Sequence, residues 1–380
     1  MKTRKKLRIL SIFGTRPEAV KMAPVLKELE AHRSIQSITC VTAQHREMLD
    51  QVLDLFKIHP DIDLNLMRPN QNLSRLTSEL LTHIDPVLEK VEPDWVLIQG
   101  DTTTVMAASL AAFYRRIRVG HVEAGLRTGD RWQPFPEEIN RKVAGVIADL
   151  HFAPTGHARQ NLLKEGVPDW RIKVTGNPVI DALRFIRRQP APKEIKDLLM
   201  KLEIHPKGRQ LILVTAHRRE NFGRPLESIC NALRRLAERY RESLEIVYPV
   251  HLNPNIHKPV HQLLKGVTNI TLLRPQPYLN LVHLLKSAKL VLTDSGGIQE
   301  EATGLGIPTL VLREVTERPE GLEAGVLKLV GTNPDYIFNE ASRLLSNEPA
   351  WAAMAKAANP FGDGHAARKI VQAVLDFHEE

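Results

Sequence analysis

Cysteine is nearly absent from this 380-residue sequence, and long apolar runs are missing altogether. The two cysteines, Cys40 and Cys230, fall in a predicted strand and a predicted helix without metal-ligand spacing, which favours buried reduced thiols over a disulfide. No run of about 18 apolar residues occurs, so no membrane-spanning helix is predicted. The apolar stretch Leu7 to Phe13 lacks the length and the small-residue cleavage site of a signal peptide, so we expect a cytoplasmic protein.

Aromatic residues are also few, at 5% of the chain, and no base-stacking motif or recognition-helix pattern accompanies the net charge of +8. The cationic side chains are scattered along predicted helices, often beside carboxylates, as at Lys27 and Glu28. This distribution argues against a nucleic-acid partner. A basic surface would instead favour an anionic small substrate by steering it electrostatically.

Familiar signatures of cofactor and catalytic sites are missing as well. Gly14 is the only glycine in the turn after the first predicted strand, where a dinucleotide fingerprint needs three. No G-x-S-x-G nucleophile elbow occurs. Cys/His clusters with the spacing of a zinc site are absent, so the sequence predicts no metal site.

The sequence does contain an alternation of short β-rich apolar runs and amphipathic helical stretches, which predicts a parallel α/β architecture. Its length suits two domains, and its 43% hydrophobic and 25% charged residues are typical of a globular protein. We expect two Rossmann-like domains facing across a cleft, residues 1–175 and 176–365, with a C-terminal helix 366–380 packing back on the first. A helical linker, 185–209, separates two series of predicted strands. These are Arg8–Phe13, Ile38–Thr42, Trp95–Gln99, Arg118–Val122 and Leu150–Ala153, then Gln210–Thr215, Leu244–Pro249, Ile270–Leu273, Leu290–Thr293 and Thr309–Leu312.

Several polar clusters directly follow predicted strands, at the sheet edge where open α/β proteins bind ligands. After the first strand, Gly14 permits a tight turn, and Arg16 and Lys21 lie near a predicted helix N-terminus, where anionic groups are stabilised. An ordinary turn with two solvated cations is the alternative. We favour a binding role because Arg16 is confined to the short turn.

Carboxylates follow strands or begin helices in the same half, at Asp101, Glu123 and Glu137. Singly, each has a structural alternative. Asp101 suits an N-cap, Glu137 suits the first turn of a helix, and Arg141 lies one turn on as a partner for Glu137. Carboxylates converging from separate loops are harder to explain as caps, and we interpret them as a catalytic set.

His217 directly follows a predicted strand in the second half and precedes Arg218 and Arg219. This combination suits a phosphate or a departing phosphate oxygen, although an isolated histidine at a strand end is usually structural. His251 follows the next strand and fits a structural role and a site role equally well.

A predicted strand ends directly before Ser295, Gly296 and Gly297, and a helix begins there. Free N–H groups and the helix dipole predict a diphosphate cradle, and an ordinary Gly-Gly turn is the alternative. Glu301 lies about one turn into this helix, where a carboxylate can accept both ribose hydroxyls. Arg318 belongs to a polar loop after the last strand, for which a salt-bridged loop is the competing interpretation.

Together these motifs closely resemble those of bacterial non-hydrolysing UDP-N-acetylglucosamine 2-epimerases. The resemblance runs through nearly the whole chain, and the occurrence of the motifs in this order is highly specific. In chain order they are GTRPEAVKMAPV, TAQHREML, GDTTT, HVEAGLRTGD, PFPEEINR, TGNPVIDAL, AHRREN, PVHLNP, DSGGIQEEA and EVTERPE.

The resemblance implies a glycosyltransferase-B-like pair of Rossmann domains with a UDP-sugar in the cleft. It implies reversible epimerisation at C2 of UDP-N-acetylglucosamine to UDP-N-acetylmannosamine, by anti elimination of UDP to 2-acetamidoglucal and re-addition. It also implies that no cofactor is required, which agrees with the missing dinucleotide fingerprint. A homodimer that serves cell-surface polysaccharide synthesis is the assembly and role we expect.

Site residues are carried over motif by motif and combined with those predicted above. The catalytic set is Asp101, Glu123, Glu137 and His217. The substrate-binding set is Arg16, Lys21, Arg141, Gln276, Ser295, Gly296, Gly297, Glu301 and Arg318. The Gln44-His45 stretch is similar to one linked in the family to an allosteric substrate molecule, and His251 is a candidate for the same site.

Other activities stay open on the residues alone. A glycosyltransferase of the same fold would share the phosphate turn but need an acceptor pocket, and the carboxylates of the first half argue against it. A hydrolysing epimerase would differ in how water is admitted, and the HREML and PFPEEINR segments favour the non-hydrolysing branch. A non-catalytic UDP-sugar sensor would not need Asp101, Glu123 or Glu137.

Overall fold

The computed structural model describes residues 6–43, 46–66, 68 and 71–379. It divides the chain into two compact units, residues 1–182 with 361–380 and residues 183–360. Each unit is built on one parallel sheet. Among the described residues, no helix combines the length and the apolar character that crossing a membrane would need.

The strands of the first unit are β1 to β7, and those of the second are β8 to β13. They are β1 Leu7–Phe13, β2 Ile35–Val41, β3 Ile62–Asp63, β4 Trp95–Gln99, β5 Arg118–Val122, β6 Leu150–Ala153, β7 Ile172–Val174, β8 Gln210–Thr215, β9 Leu244–Pro249, β10 Ile270–Leu273, β11 Leu290–Thr293, β12 Thr309–Val311 and β13 Leu327–Leu329.

The helices connect these strands. They are α1 Arg16–Ala31, α2 Arg46–Phe56, α3 Leu73–Val91, α4 Thr103–Tyr114, α5 Glu137–Ile147, α6 Gly156–Lys164, α7 Pro178–Ile186, α8 Lys193–Lys201, α9 Arg224–Arg239, α10 Pro254–Leu264, α11 Tyr278–Ser287, α12 Gly296–Gly304, α13 Pro319–Glu323, α14 Pro334–Ser346, α15 Glu348–Ala355 and α16 Ala366–Glu379.

Both sheets have the strand order of a doubly wound fold. The first is seven-stranded, in the order β3-β2-β1-β4-β5-β6-β7, and the second is six-stranded, in the order β10-β9-β8-β11-β12-β13. In each sheet the order reverses beside the first strand, between β1 and β4 and between β8 and β11. Ligands of open α/β sheets bind at such switch points, outside the carboxyl ends of the strands. The α/β fold class with two Rossmann-like sheets is therefore confirmed.

Apolar residues on strands and helices form the core at the expected spacing. Every residue of β4 is buried, as in a parallel sheet covered on both faces. Helix α3 buries Leu76, Leu80, Ile84 and Leu88, which recur every fourth residue and pack in one cluster with the first sheet. Each such side chain contributes about 1.5–3 kcal/mol by burial.

The predicted strands all exist, and their bounds agree closely. Three short strands were not predicted, namely β3, β7 and β13. The linker 185–209 contains the end of α7 and all of α8. Cys40 and Cys230 are buried and free, as expected, and burial raises the pKa of each thiol to about 12.

Helix α16 returns the chain to the first unit, and its N-terminus is capped by a distant carboxylate. Asp181 on α7 accepts hydrogen bonds from the N–H groups of Ala366 and Ala367, at 3.1 and 3.0 Å. At the other end of α16, the Phe377 ring lies 5.4 Å from that of Trp95, measured between centroids. This helix is thus attached at both ends by specific contacts.

Asp181→Ala is expected to lower the free energy of unfolding of the first unit by about 1–3 kcal/mol, because it leaves two helix N–H groups without their acceptor. Tryptophan fluorescence during urea titration measures this, since Trp95 contacts α16. Asp376→Ala removes the same charge from an exposed position of α16 and serves as the control. Equal urea midpoints of unfolding for the two variants would show that the Asp181 cap contributes nothing to stability.

Candidate active site

The turn between β1 and α1 is held by the buried carboxylate of Glu18. Its Oε2 accepts hydrogen bonds from the N–H groups of Gly14 and Thr15, at 3.0 and 2.7 Å, and its Oε1 accepts one from Thr102 Oγ1 at 2.7 Å. Thr15 caps α1 in return, so Thr15 and Glu18 form a capping box. Burial raises the pKa of Glu18, and its hydrogen bonds oppose that rise. Glu18 thereby ties the turn after β1 to the turn after β4.

Arg16 and Lys21, the predicted anion ligands of this turn, have different surroundings. Arg16 is the half-buried first residue of α1, and its guanidinium makes no ion pair or hydrogen bond with the residues that the structure describes. Lys21 is buried in the next turn and pairs through Nζ with Glu123 Oε1. Arg16 is therefore available to an anionic ligand, whereas Lys21 is engaged with a carboxylate of the protein.

Glu123, directly after β5, is held by donors on both carboxylate oxygens. Oε1 accepts from Lys21 and from Asn177 Nδ2 at 2.8 Å, and Oε2 accepts from Gln99 Nε2 at 2.5 Å. These partners all donate, so the arrangement suits the carboxylate anion. The backbone of Glu123 lies in the left-handed region, at φ +63°, which costs a non-glycine residue energy and is frequent at functional sites.

A buried histidine supports the turn that carries Asp101. His121 Nε2 lies 2.7 Å from the carbonyl oxygen of Gly100. Burial lowers the pKa of His121 to about 4 and that of His151, its neighbour on β6, to about 3. His121 is therefore neutral near pH 7 and donates from Nε2 to Gly100.

Asp101 does not cap α4, so the structural alternative raised for it is wrong. Thr102 is the N-cap, and its Oγ1 accepts from the N–H of Val105 at 3.3 Å. Asp101 Oδ2 instead pairs with Arg141 Nη2, and its carbonyl accepts from Asn140 Nδ2 at 3.0 Å. The side chain is 28% exposed, so one edge of the carboxylate can meet a ligand while the other is fixed.

Arg141 is buried on α5 and connects Asp101 to the loop before that helix. Its Nη1 lies 3.4 Å from Glu138 Oε2. Glu138 is fully buried and also accepts from the two backbone N–H groups of residues 128–129. Glu137, the partner suggested by the sequence, is half-buried at the first position of α5, and Arg141 pairs with Asp101 and Glu138 instead.

In the second unit, the buried carboxylate of Asp294 organises the segment after β8. Its Oδ2 accepts hydrogen bonds from the N–H groups of His217 and Arg218 at 2.8 and 2.9 Å. A further hydrogen bond comes from Asn221 Nδ2 at 2.9 Å. The carboxyl ends of β8 and β11 are thus joined, and His217 is fixed at the switch point of the second sheet.

The ring of His217 is partly open to solvent and packs against His251. Its side chain is 36% exposed, and the two rings stack with centroids 5.6 Å apart and an interplanar angle of 20°. Tyr248 Oη donates to the carbonyl of Ala216 at 2.7 Å and supports the same segment. His251 therefore lies beside the predicted phosphate ligand.

Helix α12 begins against the guanidinium of Arg318. A Cβ added to Gly296 would lie 2.4 Å from Arg318 Nη1, whereas one added to Gly297 would meet no heavy atom within 4 Å among the described residues. Ser295 is the N-cap residue and supplies no side-chain cap. The start of α12 thus combines free N–H groups with a cation, which is a suitable site for a phosphate group.

The loop that carries Arg318 is salt-bridged, as one interpretation of the sequence proposed. Arg318 Nε donates to Glu300 Oε1 at 2.6 Å, and its Nη1 donates to Glu317 Oε2 at 3.3 Å. Glu317 also accepts from Arg313 Nη1 at 3.1 Å. Burial acts to raise the pKa of Glu317, but the positive charges of Arg318 and other arginines outweigh it and lower the pKa to about 2. Arg318 is therefore rigidly placed, which is compatible with ligand binding.

Gln276 and Glu301 are the remaining predicted substrate ligands. Gln276 lies just before α11, donates to the carbonyl of Arg274 at 2.8 Å and accepts from Asn280 Nδ2 at 3.2 Å. Glu301 is buried on α12. Gln44 and His45 lie outside the described residues, so the allosteric assignment stays a prediction.

Several residues that build the site were missed by sequence reasoning. They are Glu18, Gln99, Glu138, Asn177 and Asp294. A signal existed for Glu18, because Thr15-Arg16-Pro17-Glu18 has the spacing of a capping box. The others bond to partners distant in sequence, except for Glu138, whose backbone donors belong to an irregular loop.

A pair of histidines was also overlooked. His257 and His261 lie four residues apart on α10, with ring centroids 4.3 Å apart. This is the spacing at which two histidines share one face of a helix. Within the described part of the chain, no group of three or more His, Cys, Asp or Glu residues is placed to hold a metal ion.

The comparisons with known proteins agree with this architecture. The model of a family described as UDP-N-acetylglucosamine 2-epimerase matches residues 27–375. A UDP-N-acetylglucosamine 2-epimerase of Yersinia pestis is 53% identical over 370 residues, covering 97% of this chain and 98% of that protein.

Solved structures give the same result. The crystal structure of UDP-GlcNAc 2-epimerase from Neisseria meningitidis, bound to UDP-GlcNAc, superposes with a TM-score of 0.92 at 47% identity, covering 97% of this chain and 100% of that one. The structure of MnaA from S. aureus with UDP has a TM-score of 0.91 at 46% identity, covering 98% and 97%. With a family match across most of its length and relatives of this identity, the chain belongs to the UDP-N-acetylglucosamine 2-epimerase family and is an enzyme of that family.

Proposed function

We propose that this enzyme interconverts UDP-N-acetylglucosamine and UDP-N-acetylmannosamine by anti elimination and re-addition of UDP. The observation that carries the proposal is the carboxylate of Asp101, fixed by buried Arg141 on one edge and open on the other, at the carboxyl end of β4. A carboxylate held in this way can exchange a proton with a substrate carbon without losing its position.

In the first step, the bond between C1 and the diphosphate oxygen breaks and its electron pair leaves with UDP. The C2 proton passes to a carboxylate, and the C–H electron pair forms the double bond of 2-acetamidoglucal. In the second step, UDP adds back to C1, and a proton reaches C2 from the opposite face. Because the C2 hydrogen is only weakly acidic, departure of the diphosphate must run ahead of proton removal.

Departure of UDP requires positive charge and N–H donors at the diphosphate. In the second unit, we assign this task to the start of α12 at Ser295, Gly296 and Gly297, together with His217 and Arg318. Two observations support this assignment. Ser295 supplies no side-chain cap to α12, and the guanidinium of Arg318 lies close to Gly296. Glu301 and Gln276 are assigned to the nucleoside. Arg16 offers a further cation that no residue in the described part of the chain neutralises.

Inversion needs a proton acceptor on one face of C2 and a proton donor on the other. We assign these roles to Asp101 and Glu137. Glu123 is 5% exposed and already accepts hydrogen bonds on both oxygens, so its role is to hold Lys21 and to place negative charge near the positive character that develops at C1. The predicted homodimer and cytoplasmic location stay predictions.

Proton NMR of the purified protein with UDP-N-acetylglucosamine in D₂O, without added metal or NAD, tests this reaction. We expect UDP-N-acetylmannosamine to appear with deuterium at C2, because the C2–H bond is broken and remade from solvent. Deuterium-free product would exclude the elimination route. Free N-acetylmannosamine with UDP would place the enzyme in the hydrolysing branch, and an unchanged spectrum would favour a glycosyltransferase.

A further inference from the structure

Asp294 has one carboxylate oxygen that its structural bonds do not use. Oδ2 accepts from the N–H groups of His217 and Arg218 and from Asn221 Nδ2. Oδ1 is buried and accepts no hydrogen bond from any residue that the structure describes. An unbonded carboxylate oxygen in the interior is costly, so its retention calls for a reason.

The ring of His217 lies beside this oxygen. His217 Nδ1 lies 3.7 Å from Asp294 Oδ1, just beyond hydrogen-bonding distance. The two residues differ in solvent access, because the Asp294 side chain is 0% exposed and the His217 side chain is 36% exposed. The ring of His217 therefore has one edge turned to a buried anion, while part of its surface stays open to a ligand.

We propose that Asp294 is a positioning residue for His217, holding a proton on Nδ1 so that Nε2–H of the imidazolium donates to a diphosphate oxygen. The inference rests on the proposed function, since it deepens the role assigned to His217 there. A small rotation of the ring brings Nδ1–H to Oδ1 and supplies the missing hydrogen bond. As negative charge builds on the departing UDP, the imidazolium stabilises it, and Asp294 stabilises the imidazolium.

Other charged groups around His217 oppose the protonation that the Asp294–His217 pair requires. Arg218 and Arg219 follow it on its own segment, and His251 from the turn after β9 stacks on its ring. These groups disfavour a further positive charge. Asp294, from the turn after β11, is a carboxylate in ion-pair range of the His217 ring, so it can favour the charged form.

Asp294→Asn tests the charge while keeping most of the geometry. The asparagine oxygen can replace Oδ2 as the acceptor from the His217 and Arg218 N–H groups, and its NH₂ group then faces Nδ1 in place of Oδ1. With saturating UDP, we expect NMR titration of the His217 ring to give a pKa at least about one unit lower than in the wild type. The high-pH limb of kcat, which reports the ligand-bound enzyme, should also move to lower pH, because the imidazolium form is lost earlier.

Asn221→Ala is the matched control, because it removes another partner of Oδ2 and leaves the Asp294 charge in place. It should leave the His217 pKa unchanged even if activity falls. An unchanged pKa in Asp294→Asn would overturn the inference and leave Asp294 a purely structural anchor. If that variant does not fold, the wild type with UDP still decides, since a downfield Nδ1 proton on His217 is expected and its absence contradicts the pairing.

The NMR titration uses UDP alone, so it separates this inference from the proposed reaction. Epimerisation together with a His217 pKa that does not depend on Asp294 overturns only the positioning role. Dependence of that pKa on Asp294 without epimerisation overturns only the reaction and leaves the pair as part of a UDP site.

Discussion

Asp101→Asn is expected to lower kcat by about 10²–10⁴-fold while leaving the affinity for UDP close to that of the wild type. The variant keeps the shape of the side chain but can neither accept the C2 proton nor carry negative charge. Arg141, the buried partner of Asp101, keeps a second carboxylate in Glu138 at 3.4 Å, so the fold should tolerate the change. Steady-state kinetics of the epimerisation and calorimetry with UDP measure the two effects separately.

Asp94→Asn is a suitable control because it lies at the opposite end of the same strand. Asp94 Oδ2 accepts from the N–H of Arg8 at 2.7 Å, before β4 begins. Its substitution should affect stability and leave kcat nearly unchanged, since ligands meet the carboxyl ends of parallel strands. Wild-type turnover in Asp101→Asn would remove Asp101 from the mechanism, and loss of UDP binding in that variant would indicate a wider structural defect.

Sequence reasoning succeeded where the signal is local and long enough. Strand β4 begins with four consecutive apolar residues, Trp95 to Ile98, because a parallel sheet is buried on both faces, and such a run is sufficient to identify the strand. The missed strands β3, β7 and β13 have two or three residues and lie at sheet edges. Each of these strands is defined by its pairing with one neighbouring strand, and a local sequence pattern does not indicate such pairing.

In the candidate site, too, some residues could be predicted from the sequence and others could not. Residues at strand ends, such as Asp101 and His217, could be selected because fold class fixes where a parallel sheet presents ligands. The groups that hold them could not be identified, since Glu138 reaches Asp101 only through Arg141, and Asp294 meets His217 across 77 positions of sequence. Such contacts depend on strand order and helix packing, which cannot be read directly from a single sequence.

Gly296→Ala is expected to weaken UDP binding by about 10- to 100-fold. A Cβ at Gly296 would lie 2.4 Å from Arg318 Nη1 and 2.8 Å from its Cζ, so the guanidinium has to move. Any such movement disturbs the hydrogen bonds that fix the guanidinium, from Nε to the buried Glu300 at 2.6 Å and from Nη1 to Glu317 at 3.3 Å. The substitution therefore takes a cation away from the start of α12. Calorimetry with UDP measures the loss.

Gly297→Ala adds the same methyl group one residue later. It distinguishes displacement of Arg318 from a direct clash between the methyl group and the ligand. A Cβ there meets no heavy atom within 4 Å in the described part of the chain, so Arg318 stays in place. Since alanine is the better helix former, neither variant should weaken α12 through helix propensity. Equal losses in both variants would mean that the methyl groups meet the ligand directly. If Gly296→Ala binds UDP as tightly as the wild type, the diphosphate is not held at this helix start, and the role of Arg318 fails with it.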